Sequence, residues 1–131
     1  MTAFLDTNIL IRHLTGQPPD LAARATRYLA AADVLLLPDL ILAEVAYVLE
    51  SFYDAPRDQV ADTLRAILAF PAIRTVDTEL LLRAIEVYQR HHLDFADAYL
   101  VASAERTGVR VIASFDRAIE RPGTIRRDEP Q

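Results

Sequence analysis

The amino-acid sequence predicts an α/β protein, a three-layer α/β/α sandwich around a short central parallel sheet. Short apolar segments, such as residues 34–37 and 109–113, alternate with long segments whose apolar residues recur at helical spacing. Only three glycines occur in 131 residues and 52% of the residues are apolar, which is typical of an ordered domain. Alternating strands and helices form βαβ units, which build a parallel sheet covered by helices.

The elements are predicted from apolar spacing and from residues that begin or end helices. A first strand ends near Leu5, and Asp6 begins a helix that continues to Leu14. Residues 16–20 interrupt the helical pattern, and a second helix after them reaches Ala32. The later helices are predicted after Pro38, after Pro56, from Asp77 or Thr78 to about His92 and from Asp94 to Thr107, and the later strands at residues 34–37, 73–76 and 109–113.

One domain is predicted over residues 1–131, because this length is close to the commonest domain size. Residues 121–131 are polar, and they are predicted to form either a short strand or a frayed tail. The N-terminus reaches Asp6 too soon for a signal peptide, and no apolar run approaches the roughly 20 residues of a membrane span. We therefore expect a cytoplasmic protein that does not contact a membrane.

Composition excludes several kinds of site. The absence of cysteine excludes disulfides, thiolate zinc sites and cysteine nucleophiles, so a bound metal would need oxygen or imidazole ligands. The net charge of −5 argues mildly against nonspecific binding of nucleic acid. All 14 basic residues are arginine, whose planar guanidinium binds phosphate oxygens in pairs.

Acidic residues fall where a parallel α/β sheet binds its ligands, outside the carboxyl ends of the strands. Asp6 follows the first strand, Asp94 and Asp97 begin the sixth helix, Asp116 follows the last clear strand, and Glu44 lies one turn into the third helix. Converging carboxylates raise one another's pKa unless a cation lies among them. Hard divalent cations prefer oxygen ligands, and Mg²⁺ commonly uses one or two carboxylates, so the pattern predicts a magnesium or manganese site.

Each acid also has a purely structural interpretation. Asp6 and Asp94 can be helix N-caps with Asp97 at N3, Asp116 can cap the turn at residues 117–120, and Glu44 can be a solvated helix position. These interpretations are favoured for each acid alone. The occurrence of all five at the expected ligand-binding edge favours a shared site.

Four short motifs resemble those of PIN-domain ribonucleases, most closely the VapC-type toxins of bacterial toxin–antitoxin pairs. The likeness covers nearly the whole chain and includes residues 4–8 (Phe-Leu-Asp-Thr-Asn), 43–45 (Ala-Glu-Val), 94–98 (Asp-Phe-Ala-Asp-Ala) and 114–116 (Ser-Phe-Asp). Single motifs of this kind are common, but the ordered set is fairly specific, and no acid of the family pattern is missing.

The resemblance implies a metal-dependent endoribonuclease that hydrolyses RNA with a metal-activated water. It implies Mg²⁺, with Mn²⁺ as a substitute, held chiefly by Asp6 and Asp97. Glu44 and Asp116 would complete the acidic site with Asp94 as an accessory, and the polar residues expected to orient carboxylates or water are Thr7, Asn8 and Ser114. The family's usual partners would then be a small cognate antitoxin protein and a second copy of the chain in a homodimer.

Other classes of function compete with the ribonuclease interpretation. An aspartyl-phosphate enzyme using Asp6 is disfavoured, because such enzymes need a lysine that this chain lacks, and their phosphatases carry a second aspartate where Asn8 stands. A catalytically silent PIN-fold binding module and a nuclease acting on DNA remain open, since the acids alone do not distinguish RNA from DNA.

Overall fold

The computed structural model describes all 131 residues, and its elements follow the predicted order. The α/β class with short parallel strands and long helices is confirmed. The elements are β1 (Thr2–Phe4), α1 (Thr7–Thr15), α2 (Pro19–Ala31), β2 (Val34–Leu36), α3 (Asp39–Ser51), α4 (Arg57–Ala69), β3 (Ile73–Arg74), α5 (Thr78–His91), α6 (Phe95–Thr107), β4 (Val111–Ala113), a 3₁₀ helix (Arg117–Glu120) and β5 (Arg126–Asp128).

The chain forms two compact units. Unit 1 contains residues 1–55 and 66–76, and unit 2 contains residues 56–65 and 77–131. Helix α4 contributes its first part to unit 2 and its last turn to unit 1. None of the helices is both long enough and apolar enough to cross a membrane.

Unit 1 is built on a three-stranded parallel sheet with β2 in the middle. Thr2 pairs with Val34, and Leu35 pairs with both Ala3 and Ile73. Leu35 is completely buried, as the centre of a covered sheet requires. Helix α1 packs against α2 and α3. Because the strands are parallel, Asp6 lies at their shared carboxyl edge.

Unit 2 is built on the packing of α5 against α6, with β4 and β5 forming a parallel pair. The turn between the two helices is held by Arg57, whose Nη1 donates to the carbonyl oxygens of Tyr88 (2.8 Å) and Leu93 (2.7 Å). The same guanidinium lies 4.4 Å from the centre of the buried Tyr88 ring, and that ring meets Phe95 edge to face. These contacts fix the point at which α6 begins.

Three strands are shorter than the sequence predicts, and the first of them, β2, ends at Leu36 instead of residue 37. β3 ends at Arg74, and Val76 beyond it is 97% exposed. β4 begins at Val111, so Val109 and Arg110, which were predicted to belong to it, lie outside the strand. At the end of the chain, residues 126–128 form β5, so the short-strand alternative for the C-terminal segment is confirmed.

Candidate active site

Asp6 lies between β1 and α1 and caps the helix. Its Oδ1 accepts a hydrogen bond from the backbone N–H of Thr7 at 2.8 Å, and its own backbone is extended. The side chain is exposed, whereas Leu5 before it is 2% exposed. Burial of Leu5 therefore fixes the end of the strand and presents the Asp6 carboxylate at the sheet edge.

Thr7 is the only buried polar residue of the core, at 5% exposure. Its hydroxyl oxygen is buried and has no hydrogen-bond partner. A buried hydroxyl without a partner has a desolvation cost of about 1 to 3 kcal/mol. The next residue, Asn8, is exposed on the first turn of α1. The Asp-Thr-Asn motif therefore carries a buried hydroxyl without a partner on the residue that follows Asp6.

Glu44 lies in the second turn of α3, on the side of the helix that faces solvent. Its side chain is exposed, while Val45 and Ala46 are at most 1% exposed and form part of the core. Neither Asp6 nor Glu44 forms an ion pair within unit 1, where the N-terminal amino group pairs with Asp33 instead. Both carboxylates are therefore available to a cation or a substrate.

Asp94 and Asp97 stand on the first turn of α6. Asp94 occupies the N-cap position, but its side chain makes no capping hydrogen bond. The capping interpretation of Asp94 is therefore wrong for its side chain, although its carbonyl oxygen accepts the N–H of Ala98 at 2.9 Å. Asp97, partly buried, follows one turn later.

Asp116 lies in the loop after β4 and caps the 3₁₀ helix. Its Oδ1 accepts the backbone N–H of Ala118 at 2.9 Å, which confirms the capping interpretation for this residue. Its own N–H donates to Oγ of Ser114 at 2.9 Å. Ser114 thus fixes the backbone that carries Asp116, and Arg127 donates to the Ser114 carbonyl oxygen at 3.0 Å.

Unit 2 brings Asp94, Asp97 and Asp116 together. Partial burial raises the pKa of Asp97, and the negative charges of Asp94 and Asp116 raise it further. No arginine or histidine of unit 2 forms an ion pair with any of the three. The charge of Asp97 is therefore uncompensated by the protein itself.

The chemistry of these oxygen ligands is compatible with a divalent cation. Within neither unit do three or more Asp, Glu or His side chains form a group that could enclose a metal ion. Mg²⁺ does not need such a group, since it commonly binds one or two carboxylates and keeps several waters. The carboxylates grouped around Asp97 could bind such an ion or its waters. The Thr7 hydroxyl, which has no partner and belongs to the residue after Asp6, could do the same. Joint binding of one ion by Asp6 and Asp97 stays a prediction.

The framework and its acids define a class, an α/β protein with exposed carboxylates at strand ends and helix starts. The chain belongs to the PIN domain family, whose model matches residues 3–124. This match includes all five acids and confirms the PIN-like fold class and the resemblance drawn from the motifs. The family model runs through both units.

Two known proteins are similar to this chain over most of its length. The chain is similar to the VapC ribonuclease of Aquifex aeolicus (strain VF5), with 22% identity over 122 residues, 91% of this chain and 90% of that protein. It is also similar to the crystal structure of Mycobacterium tuberculosis VapC20, described as a sarcin-ricin loop cleaving toxin. That similarity has 22% identity and a TM-score of 0.44 and covers 94% of this chain and 96% of the other.

A cavity beside the Asp-Thr-Asn motif was not found from the sequence. It has a volume of about 390 Å³ and lies between α1 and α2, lined by Asn8, Ile9, Arg12, Leu21, Arg24, Ala25 and Tyr28. The α2 residues recur at spacings of three and four, which marks one helix face. That spacing could have shown that these residues share one face of α2, but it could not have shown that the face lines a cavity.

Proposed function

We propose that this chain is a magnesium-dependent endoribonuclease and the toxin of a toxin–antitoxin pair. The observation that carries the proposal is the uncompensated charge of Asp97 among Asp94 and Asp116, in a chain of the PIN domain family. A protein gains little stability from such crowding, whereas a bound cation would offset the repulsion. The relative from Aquifex aeolicus, named a ribonuclease, supports RNA as the substrate.

Asp6 and Asp97 are the residues that would hold the metal. A bound Mg²⁺ would neutralise charge on a phosphodiester and lower the pKa of a water, which supplies a nucleophile at neutral pH. Glu44 and Asp116 would orient that water or the substrate through their exposed carboxylates, and Asp94 would add negative charge beside Asp97. Ser114 would act by holding the backbone of Asp116, and Thr7 would offer its hydroxyl beside Asp6.

The metal requirement is tested by cleavage of matched RNA and DNA substrates with Mg²⁺, with Mn²⁺, with Ca²⁺ and with EDTA. We expect RNA cleavage with Mg²⁺ or Mn²⁺ and none with EDTA. Ca²⁺ should support cleavage poorly, because its ligand distances of about 2.3 to 2.6 Å exceed the roughly 2.0 to 2.1 Å of Mg²⁺. Full activity in excess EDTA would refute the metal mechanism.

The control for this experiment is Asp20→Asn, which removes an acid from the first turn of α2, and it should leave cleavage unchanged. Asp97→Asn should abolish cleavage. Equal cleavage of DNA and RNA would replace the ribonuclease proposal by a general nuclease. Absence of cleavage on both substrates with every metal would favour a binding module without catalysis.

The toxin proposal includes two protein partners and a compartment. We propose that a small antitoxin protein binds the chain and blocks its acids, that two copies of the chain form a homodimer, and that both act in the cytoplasm. Support comes from the similarity to VapC proteins. Co-purification with the product of an adjacent gene and the mass of the purified protein in solution test the two interactions separately.

A further inference from the structure

We propose that the cavity between α1 and α2 binds one nucleotide of single-stranded RNA beside the cleavage site, with Arg12 and Arg24 on its phosphate and Tyr28 against its base. This inference rests on the proposed ribonuclease function and adds the residues that position the substrate. The cavity has a volume of about 390 Å³, which lies within the range of small-ligand sites and is too small for a duplex.

The charges of the cavity suit an anion. The chain carries a net charge of −5, yet the only charged residues that line this cavity are Arg12 and Arg24. One Arg12 nitrogen donates to the Gln17 carbonyl oxygen at 3.3 Å, which leaves most of its five N–H groups for a ligand. Guanidinium groups on two facing helices can contact one phosphate from both sides.

The apolar part of the cavity suits a nucleobase. Tyr28 is 38% exposed and Leu21 is 39% exposed, so an aromatic ring and an aliphatic side chain are both open to a ligand. Bases of single-stranded RNA can unstack and lie on such rings, whereas paired bases cannot. The cavity therefore favours a flexible single strand over a duplex.

The cavity lies on the helix that begins after Asp6. Asn8 lines the cavity and stands two residues after Asp6, which caps the same helix. Asn8 and Arg12 lie four residues apart on α1 and therefore on one face. Helices α1 and α2 are also joined by His13 Nδ1 and Thr26 Oγ1, which are 2.8 Å apart. A strand that enters this cavity therefore lies along the helix that Asp6 caps.

The test measures binding of a short, fluorescein-labelled single-stranded RNA of random sequence in EDTA, and its cleavage with Mg²⁺. Arg24→Gln should weaken binding about tenfold, as expected for one lost charged hydrogen bond. It should also reduce the slope of log affinity against log salt by about 0.7. Arg12→Gln should act in the same direction.

Tyr28→Ala should weaken binding about five- to tenfold, at the low end for stacking of one base, and leave the salt slope unchanged. In cleavage assays all three variants should raise KM more than they lower kcat. The matched control is Arg27→Gln, because Arg27 is an exposed arginine of α2 that does not line the cavity. Circular dichroism should show all variants folded.

Each outcome decides between the two proposals. If the wild type cleaves RNA and the cavity variants behave like Arg27→Gln, this inference is wrong while the ribonuclease function stands. If those variants retain RNA affinity but lose binding of an oligoglutamate peptide that the wild type binds, the cavity is a site for acidic protein segments. If the wild type neither binds nor cleaves RNA, both proposals fail together.

Discussion

The effect of Asp97 on stability can distinguish a functional role of this side chain from a purely structural one. Its pKa is raised by partial burial and by the charges of Asp94 and Asp116, and no basic group offsets this within unit 2. In wild type the folded state therefore holds the Asp97 proton more tightly than the unfolded state. The contribution of Asp97 to the free energy of unfolding falls as the pH rises from its ordinary pKa through the raised value.

We therefore predict that metal-free Asp97→Asn is as stable as wild type at neutral pH, or more stable by about 0.2 to 0.5 kcal/mol, because a like-charge contact is removed. Any advantage should disappear at acid pH, where the wild-type carboxyl is protonated. Urea unfolding in EDTA across this pH range measures both effects. If Asp97 served only the helix dipole, the variant would lose about 0.3 to 1 kcal/mol at neutral pH.

Asp20→Asn is the matched control, since Asp20 is the first-turn acid of α2 and should show that dipole loss. Excess Mg²⁺ gives an independent comparison. A metal present at 100 times its dissociation constant adds about 2.7 kcal/mol to the stability of a protein that binds it only when folded. Wild type should gain this increment and Asp97→Asn should lose most of it.

At this scale the sequence alone predicted which acids form the site, but it did not indicate which of their side chains cap helices. Asp116 caps a turn as its position suggested, whereas Asp94 occupies a cap position without a side-chain capping bond. Spacing along the chain cannot tell whether a carboxylate turns toward its own backbone or away from it. Burial of the Thr7 hydroxyl could not be predicted from the sequence either, because it depends on packing around α1.

At the scale of elements, α5 and α6 are joined by charge as well as by apolar packing. Arg83 Nε donates to Glu105 at 2.8 Å, a second nitrogen of Arg83 donates to the other Glu105 oxygen at 3.0 Å, and Thr124 also bonds that carboxylate. The Arg83 hydrogen bond is the main reason that the pKa of Glu105 is lowered. This contact therefore stabilises the fold above the ordinary pKa of Glu105 and is lost as the pH falls.

We predict that Arg83→Met lowers the free energy of unfolding by about 1.5 to 3 kcal/mol at neutral pH, because the partly buried Glu105 carboxylate loses its charged donor. The loss should shrink at acid pH. Arg65→Met is the control, since Arg65 contacts exposed Asp62 at 3.5 Å and such pairs contribute at most about 1 kcal/mol. Equal effects of the two substitutions at neutral pH would contradict this prediction.

Helices were easier to predict than strands. The apolar spacing and the closing Gly108, at φ +78°, defined α6 to within a residue. Strands of two or three residues lack enough alternation to fix their ends, so β2, β3 and β4 were predicted too long. Val109, Val111 and Val76 are exposed valines, and hydrophobic character alone did not distinguish them from buried strand residues.

For the whole molecule, we predict that expression of the chain alone stops growth of a bacterial host and that co-expression of its antitoxin restores growth. Asp97→Asn should be harmless at equal protein level, and Asp20→Asn should remain toxic. Growth curves together with the integrity of total RNA measure this. Toxicity of both wild type and Asp97→Asn, without RNA loss, would remove the toxin assignment and leave only the family.

At this scale the motifs, rather than the fold pattern, identified the family. Alternating strands and helices are shared by many α/β proteins, but the ordered set of Asp6, Glu44, Asp94, Asp97 and Asp116 is not. The division into two compact units could not be foreseen, because contact density depends on tertiary packing. The acids of the motif set are divided between the units, Asp6 and Glu44 in unit 1 and the others in unit 2.

The pairing of β5 with β4 has a consequence for synthesis. The loop that carries Asp116 is supported by residues made after it, since Ser114 donates its N–H to the Asp128 carbonyl oxygen and Arg127 donates to Ser114. A ribosome must therefore translate beyond Asp128 and release that segment from its tunnel before the loop can assume its final conformation. Nascent chains that stall earlier would carry all five acids yet lack these bonds, so we expect the loop of Asp116 to reach its final conformation only after translation of β5.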